Sequence, residues 1–302
     1  MSEKRFDGKV AIVTGSGGGL GFEHAQLFAS RGASVVVNDL GGSVSGGGAD
    51  GGAAKCAASK ITAAGGKAVA DSHSVSTPEG AAAVVQTALD SFGRVDILVN
   101  NAGILRDKSL TKLTPEDFDA VLTVHLKGSF LMTKAAFEPM RAQGYGRIVN
   151  TSSPAGLYGN FGQTNYSSAK MGLIGLTRTT ALEGARFGIQ ANAISPAAFT
   201  RMTENLLGEL CGGKGAEALS PAKVSPLVAW LCHEGCQLTG EVFGVGGGLV
   251  TRIFVAETPG IFEDVPTIES IAARMDEIRT EEGYIVPANV GDSFAPVLKR
   301  LA

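Results

Sequence analysis

The sequence predicts an α/β fold, a doubly wound sheet of about seven parallel strands followed by a helical C-terminal extension. Three observations carry this reading. Short β-branched runs alternate with helix-length segments, the pattern of βαβ units. The first run passes through a glycine-dense turn straight into a helix. A chain of 302 residues shows no internal boundary before about residue 250, so one domain is expected over 1–250 with an extension over 251–302.

Val10 to Thr14 is apolar and β-branched and reads as the first strand. Residues 15–21, GSGGGLG, make a turn, and 20–31 a helix that Gly32 stops. Ser34 to Asn38 is the second strand. The loop LGGSVSGGGADGG follows, and its glycine run over 41–52 reads as a flexible insertion. Helix 53–64, strand Lys67 to Ala70 and helix 78–92, with Pro78 in its first turn, come next. Val95 to Val99 is the fourth strand, and a long helix runs from Pro115 to about Arg141. Strand Arg147 to Asn150, helix Gln163 to Arg186, strand Gln190 to Ile194 and strand Gly240 to Val245 complete the sheet. Beyond Thr251 a helix near 267–281, with Ile268, Ile271 and Met275 on one stripe, and the segment SFAPVLKRLA are expected. An apolar stripe on a short helix needs a partner surface.

Composition excludes several classes. The chain is 44% hydrophobic, with 42 glycines and a net charge of −3, so neither nucleic acid nor an anionic membrane is expected as a partner. No apolar run approaches a membrane span, and MSEKRFDGKV has no apolar signal core. The cysteines, Cys56, Cys211, Cys232 and Cys236, offer no second pair at zinc spacing; reduced thiols and a cytoplasmic location are expected, and no metal.

In doubly wound sheets ligands bind beyond the carboxyl ends of the strands, where the polar clusters of this sequence fall. Gly15, Gly19 and Gly21, with Leu20, follow a strand and open a helix whose N-terminal N–H groups suit a diphosphate. Asp39, at the end of the second strand, can accept from the adenosine ribose hydroxyls and repel a 2′-phosphate, which favours NAD over NADP. The plainer alternative is that Asp39 starts a loop. Tyr166 and Lys170 stand four residues apart, one turn on a helix face, with Ser153 on a preceding loop. A phenol, an ammonium and a hydroxyl together make a proton-transfer device. Lys170 and a positive nicotinamide ring should lower the phenol's pKa from its usual value of about 10.

TGSGGGLG at 14–21, NNAG at 100–103, Ser153 and YSSAK at 166–170 resemble the short-chain dehydrogenase/reductase family in order and spacing, over about residues 5–250. The resemblance implies a Rossmann-type fold, Tyr166 as catalytic acid/base, Lys170 as its modulator and ribose ligand, and Ser153 as holder of the substrate oxygen. It implies that Asn100, Asn101, Ala102 and Gly103 pack beside the cofactor and steady the sheet. Ser74 and Val75 are implied adenine contacts, with His73 where the family carries Asp. Pro196, Ala198, Phe199 and Thr200 are implied nicotinamide contacts. The family's relay Asn is replaced by His125, which either joins a proton relay or is a structural residue.

A narrower resemblance, carried by NDLGG, NNAGILRDKS, VHLKGSF, YGRIVNTSS, GLYGNFGQTNYSSAK and LVAWLCHEGC, is to the (3R)-hydroxyacyl-CoA dehydrogenase branch. That branch forms part of peroxisomal multifunctional enzyme type 2, also called 17β-hydroxysteroid dehydrogenase type 4. It implies NAD-dependent oxidation of (3R)-3-hydroxyacyl-CoA to 3-ketoacyl-CoA in fatty-acyl or sterol side-chain breakdown, by a stand-alone bacterial version working as a homodimer or homotetramer. A 17β-hydroxysteroid dehydrogenase is the alternative; a catalytically silent NAD sensor is the alternative of another class. Residues 201–222 read as a substrate lid, in which Leu206, Leu207 and Leu210 either line an acyl or sterol tunnel or pack on the core. The extension over 251–302 is expected at a dimer interface.

Overall fold

A computed structural model describes residues 2–200, 203 and 215–301. In it the chain divides into two units, Met1–Arg252 and Ile253–Ala302. Most of the expected lid, including Leu206, Leu207 and Leu210, lies outside the described residues.

The first unit is built on β1 (Val10–Thr14), α1 (Gly19–Ser30), β2 (Ser34–Asn38), α2 (Gly52–Ala63), β3 (Lys67–Asp71), α3 (Pro78–Phe92) and β4 (Ile97–Asn100). These are followed by α4 (Pro115–Leu122), α5 (Gly128–Gln143), β5 (Gly146–Thr151), α6 (Pro154–Tyr158), α7 (Thr164–Gly184) and β6 (Ile189–Ala197). Then come α8 (Gly215–Ala218), α9 (Ser225–Cys232), β7 (Val242–Gly246) and β8 (Leu249–Ile253). The strand order is β3-β2-β1-β4-β5-β6-β7-β8, and β1 to β7 pair in parallel.

Period-two alternation sorts each strand onto two helical layers. Ala11, Val13, Val35, Val37, Ile97 and Val99 join one core with Phe28 of α1 and Ile61 of α2. Val10, Ile12, Val36 and Leu98 join the other, with Val84 of α3 and Met132 and Met140 of α5. The order reverses between β1 and β4, so the crevice at their carboxyl ends is the switch point where such sheets bind ligands.

Four expectations change. The sheet has eight strands, not about seven. β8 follows β7 through Gly247 and Gly248, both at positive φ, and its residues are mostly exposed, so no buried alternation announces it. The long helix from Pro115 is interrupted by a π turn at Thr123–Lys127. The short helix α6, capped by Ser153, was not expected. The glycine loop is not a free insertion: Ser43 N–H donates to Gly47 O (2.8 Å), Gly46 N–H to Ser43 O (2.9 Å) and Leu105 N–H to Val44 O (2.9 Å). Arg106 Nε donates to Ser45 O at 3.0 Å. Backbone pairing of this kind has no compositional signal.

In the second unit, α10 (Ile268–Ala273) begins with a Thr267–Ser270 capping box. It is followed by α11 (Met275–Ile278) and α12 (Val290–Leu301), so the single helix expected near 267–281 is two short ones. Arg274 holds this unit's turn by pairing with Glu263 (3.1 Å) and Glu277 (2.9 Å). Among the described residues, no helix is long and apolar enough to cross a membrane.

Candidate active site

The glycine turn is shaped by closeness. Gly15 has φ +64°, and a Cβ there would lie 2.7 Å from Ala102 Cα. At Gly21 a Cβ would meet Gly15 O at 2.3 Å. Gly19, at φ +54°, opens α1, whose N-terminus carries no side-chain cap. Its first N–H groups are therefore left for another acceptor. Asn101 ties the turn to β4: its Nδ2 donates to Thr14 O (3.0 Å) and Gly15 O (3.1 Å).

Asp39 extends from the end of β2 to the same turn. Its Oδ2 accepts from Gly17 N–H (2.9 Å) and its Oδ1 from Gly41 N–H (2.8 Å). A carboxylate has about four acceptor sites, so two remain for a ligand. A cavity of about 460 Å³ lies here, lined by Gly15, Gly19, Leu20 and Asp39. Ser74, Val75, Asn101, Ala102, Gly103 and Thr200 also border it.

His73, beside Ser74, is anchored to Asp71 through Nδ1 at 2.9 Å. Burial raises the Asp71 pKa, but bonds from His73, Thr87 and Asn38 outweigh it and hold the carboxyl below its usual range.

A second cavity, of about 380 Å³, is lined by Ser153, Tyr166, Lys170 and His125. Pro196 and Ala198 border it as well. Leu20, Asn101, Gly103 and Thr200 line both cavities, so the two adjoin. Ser153 is fixed as the N-cap of α6, its Oγ accepting from Ala155 N–H at 3.2 Å. Lys170 is buried on α7, and its Nζ donates to Thr151 O at 2.5 Å and lies 5.4 Å from the Tyr166 ring centroid. Burial pushes the Lys170 amine down to about 7.

The expected fall of the Tyr166 pKa is not produced by the protein groups alone. Burial pushes the phenol up to about 12, against a lowering hydrogen bond from Ser153 and with Asp107 adding to the rise. Here desolvation outweighs the local hydrogen bond.

His125 sits in the π turn, buried, with Nε2 2.8 Å from Ile104 O and 3.0 Å from Ile104 N. Its Nδ1 has no hydrogen-bond partner. Burial first, and then the nearby Lys170, hold its pKa well below the usual histidine value. Gly103 makes room for the ring: a Cβ there would lie 2.2 Å from His125 Cε1.

Three expected positions fall outside both cavities. Asn100 is buried in the sheet, its Nδ2 donating to Asn150 Oδ1 (2.9 Å) and Thr133 Oγ1 (3.2 Å). Gly21 serves the packing of the turn. Phe199 N–H is taken by Leu219 O at 2.7 Å.

Residues not foreseen include Thr151, whose carbonyl holds Lys170, and Arg106, which lines the larger cavity. Another is Asn165, which is fully buried. Its Nδ2 donates to Arg106 O (3.0 Å) and Asp117 O (3.3 Å), while its Oδ1 accepts from Tyr166 N–H (2.8 Å). A polar residue beside Tyr166 on the buried side of a helix was the available signal.

Known proteins match this architecture. The family model for short chain dehydrogenase matches residues 9–209. The chain is 51% identical over 272 residues to peroxisomal multifunctional enzyme type 2 of Drosophila melanogaster, covering 88% of this chain and 44% of the relative. The full-length structure of that enzyme superposes with a TM-score of 0.81 at 40% identity, covering 98% of this chain and 50% of the other. The chain thus spans about half the length of this relative.

Rv0148 of Mycobacterium tuberculosis, named as a short-chain type dehydrogenase/reductase, is 48% identical over 276 residues, covering 91% of this chain and 95% of the relative. Hydroxyacyl-CoA dehydrogenase ChsB1 of the same organism is 40% identical over 257 residues, covering 82% and 80%. The fold, the two adjoining cavities and these matches agree: the chain belongs to the short-chain dehydrogenase family.

Proposed function

We propose that the protein is an NAD-dependent dehydrogenase interconverting a secondary alcohol and a ketone, with (3R)-3-hydroxyacyl-CoA as the alcohol and 3-ketoacyl-CoA as the product. The observation that carries this reading is that Ser153, Tyr166 and Lys170 line one cavity, which adjoins a glycine cradle through four shared residues.

The cradle fits a dinucleotide. It is closed to any Cβ at Gly15 and Gly21, it has an uncapped helix start, and a carboxylate stands at its rim. A dinucleotide bound there supplies the hydride acceptor for alcohol oxidation and the hydride donor for ketone reduction.

Among the described residues Asp39 forms no ion pair, so its charge is uncompensated and repels a 2′-phosphate; this supports NAD. Arg106 borders the same cavity and is paired with Asp117 at 3.4 Å, a carboxylate that it shares with Lys108.

Tyr166 takes the hydroxyl proton in oxidation and returns it to the carbonyl in reduction. Ser153 orients the reacting oxygen. Lys170, when protonated, favours the phenolate electrostatically. His125 holds a water through Nδ1 and passes the proton on. The acyl-CoA assignment draws on the name of the ChsB1 relative, a hydroxyacyl-CoA dehydrogenase.

The test is formation of reduced cofactor with a panel of (3R)- and (3S)-3-hydroxyacyl-CoA thioesters and 17β-hydroxysteroids. Turnover of the (3R) thioesters is expected. NAD binding without turnover of any member would overturn the enzymatic reading, and turnover of steroids alone would overturn the acyl-CoA reading.

A further inference from the structure

The segment Ile104–Lys108 has no regular secondary structure, yet it is bonded to several separate parts of the fold. Ile104 meets His125, Leu105 N–H donates to Val44 O, and Lys108 N–H donates to Gly162 O at 2.9 Å. Arg106 has the widest reach. Its Nε donates to Ser45 O (3.0 Å), its Nη1 contacts Asp117 Oδ1 (3.4 Å), and its carbonyl accepts from Asn165 Nδ2 (3.0 Å). Asp117 lies in the first turn of α4, where its N–H donates to Thr114 Oγ1 (3.2 Å) and its Oδ2 takes Lys108 Nζ (2.6 Å). The guanidinium is therefore braced on a helix start, and the backbone that carries it is held by a buried amide.

What Arg106 grips is the glycine loop. Gly41, Gly42, Gly46, Gly47, Gly48 and Gly51 make up six of the eleven residues of 41–51. A chain of that composition loses much conformational freedom when ordered. It is nonetheless laid against Ile104: a Cβ on Gly46, at φ +87°, would come within 3.1 Å of Ile104 Cδ1. Gly42, Ser43, Val44 and Gly46 wall the 460 Å³ cavity, together with Asp39 and Arg106 itself.

We propose that Arg106 is a cofactor-positioning residue that latches loop 41–51 over the adenosine half of the bound dinucleotide. This rests on the dinucleotide reading above. The planar guanidinium donates from Nε to the loop while Nη1 reaches Asp117; a lysine ammonium, as a single point, cannot span both in that way. With the loop already ordered, adenosine binding does not have to supply the ordering entropy. Without the latch, that entropy is charged to binding.

The test titrates AMP, ADP-ribose and nicotinamide mononucleotide into the full chain by calorimetry, in the parent, Arg106→Ala and Arg106→Lys proteins. The parent is expected to bind AMP and ADP-ribose. Both variants are expected to bind these about fivefold to twentyfold more weakly, with nicotinamide mononucleotide unchanged within about twofold. Amide hydrogen exchange over residues 43–47 should accelerate in both.

AMP and ADP-ribose affinities within about twofold of the parent in Arg106→Ala would overturn the latch, as would an equal loss for nicotinamide mononucleotide. A parent that binds no adenosine nucleotide would overturn the dinucleotide reading and the latch with it. If Arg106→Ala fails to fold, Gly46→Val, which lifts the loop off Ile104, carries the same expectations alongside Arg106→Lys.

Discussion

The imidazole of His125 stands edge-on to the ring of Tyr166, with centroids 5.2 Å apart and planes at 89°. The π turn at Thr123–Lys127 sets this relationship by adding a residue to the helix turn that carries the histidine. Both polar neighbours of Nε2 belong to Ile104. A buried N–H without a partner is rarer than an unpaired buried acceptor. Here each tautomer leaves one: the Ile104 N–H when Nε2–H donates to Ile104 O, and Nδ1–H when Nε2 accepts from the Ile104 N–H.

The relay role makes His125→Phe informative, because the ring contact with Tyr166 is kept while both nitrogens are lost. A drop in kcat of about tenfold or more is expected, with the dissociation constant for NAD nearly unchanged. His125→Phe with parental kcat would leave His125 as a packing residue. An added Cβ at Gly103 would meet the same ring, so Gly103→Ala should lower kcat through displacement of His125.

Tyr166 and Lys170 are shifted in opposite directions, to about 12 and about 7. A phenolate is needed for oxidation and a neutral phenol for reduction. The kcat/KM for alcohol oxidation should thus rise with pH, by about tenfold per unit below the apparent pKa. The kcat/KM for ketone reduction should be level at low pH and fall on the alkaline side. Stopped assays in both directions across pH measure these limbs. Tyr166→Phe should lose about a thousandfold or more in kcat while still binding NAD. A parental rate in that variant would remove Tyr166 from the chemistry.

How much of this was legible depended on the kind of signal. The parallel sheet could be read because Val10–Thr14, Ser34–Asn38 and Ile97–Asn100 are nearly all buried and therefore nearly continuous apolar runs. Ser153, Tyr166 and Lys170 could be placed together because helix spacing and a strand end are local facts. β8 could not be read, since an exposed edge strand needs no apolar face. The latching of the glycine loop could not be read either: Leu105 and Val44 bond through backbone atoms that every residue carries. The tyrosine's upward shift escaped because local charge and spacing say nothing of how much solvent a folded cavity excludes.

Asp39 offers a cleaner test of charge than of contact. Asp39→Asn keeps one carbonyl oxygen, able to accept from Gly17 or Gly41, and removes the negative charge together with one of the two acceptors. A unit charge near a phosphate at a partly exposed site is worth on the order of 1–3 kcal/mol. The ratio of kcat/KM for NAD over NADP should therefore fall by about tenfold or more in Asp39→Asn. An unchanged ratio, or a parent with equal preference for the two cofactors, would contradict the assignment.

His24 concerns the scaffold behind the cradle. It is buried on α1 with Nδ1 2.7 Å from Ser225 Oγ of α9 and Nε2 without a partner. Burial lowers its pKa from 6.5 to about 3. In the unfolded chain the imidazole takes up a proton near its ordinary value, so below pH 6.5 the unfolded state binds more protons than the folded one. Stability present above that pH is lost as pH falls toward the folded pKa. For this one group the loss between pH 6.5 and about pH 4.5 amounts to about 2–3 kcal/mol. Carboxylates titrate in the same region, so the measurement is a difference: urea unfolding of the parent and of His24→Gln at several pH values. The variant should start less stable at pH 7, through lost packing, and then lose less stability on acidification than the parent. Parallel losses in the two proteins would mean that His24 does not set the acid sensitivity of the α1–α9 contact.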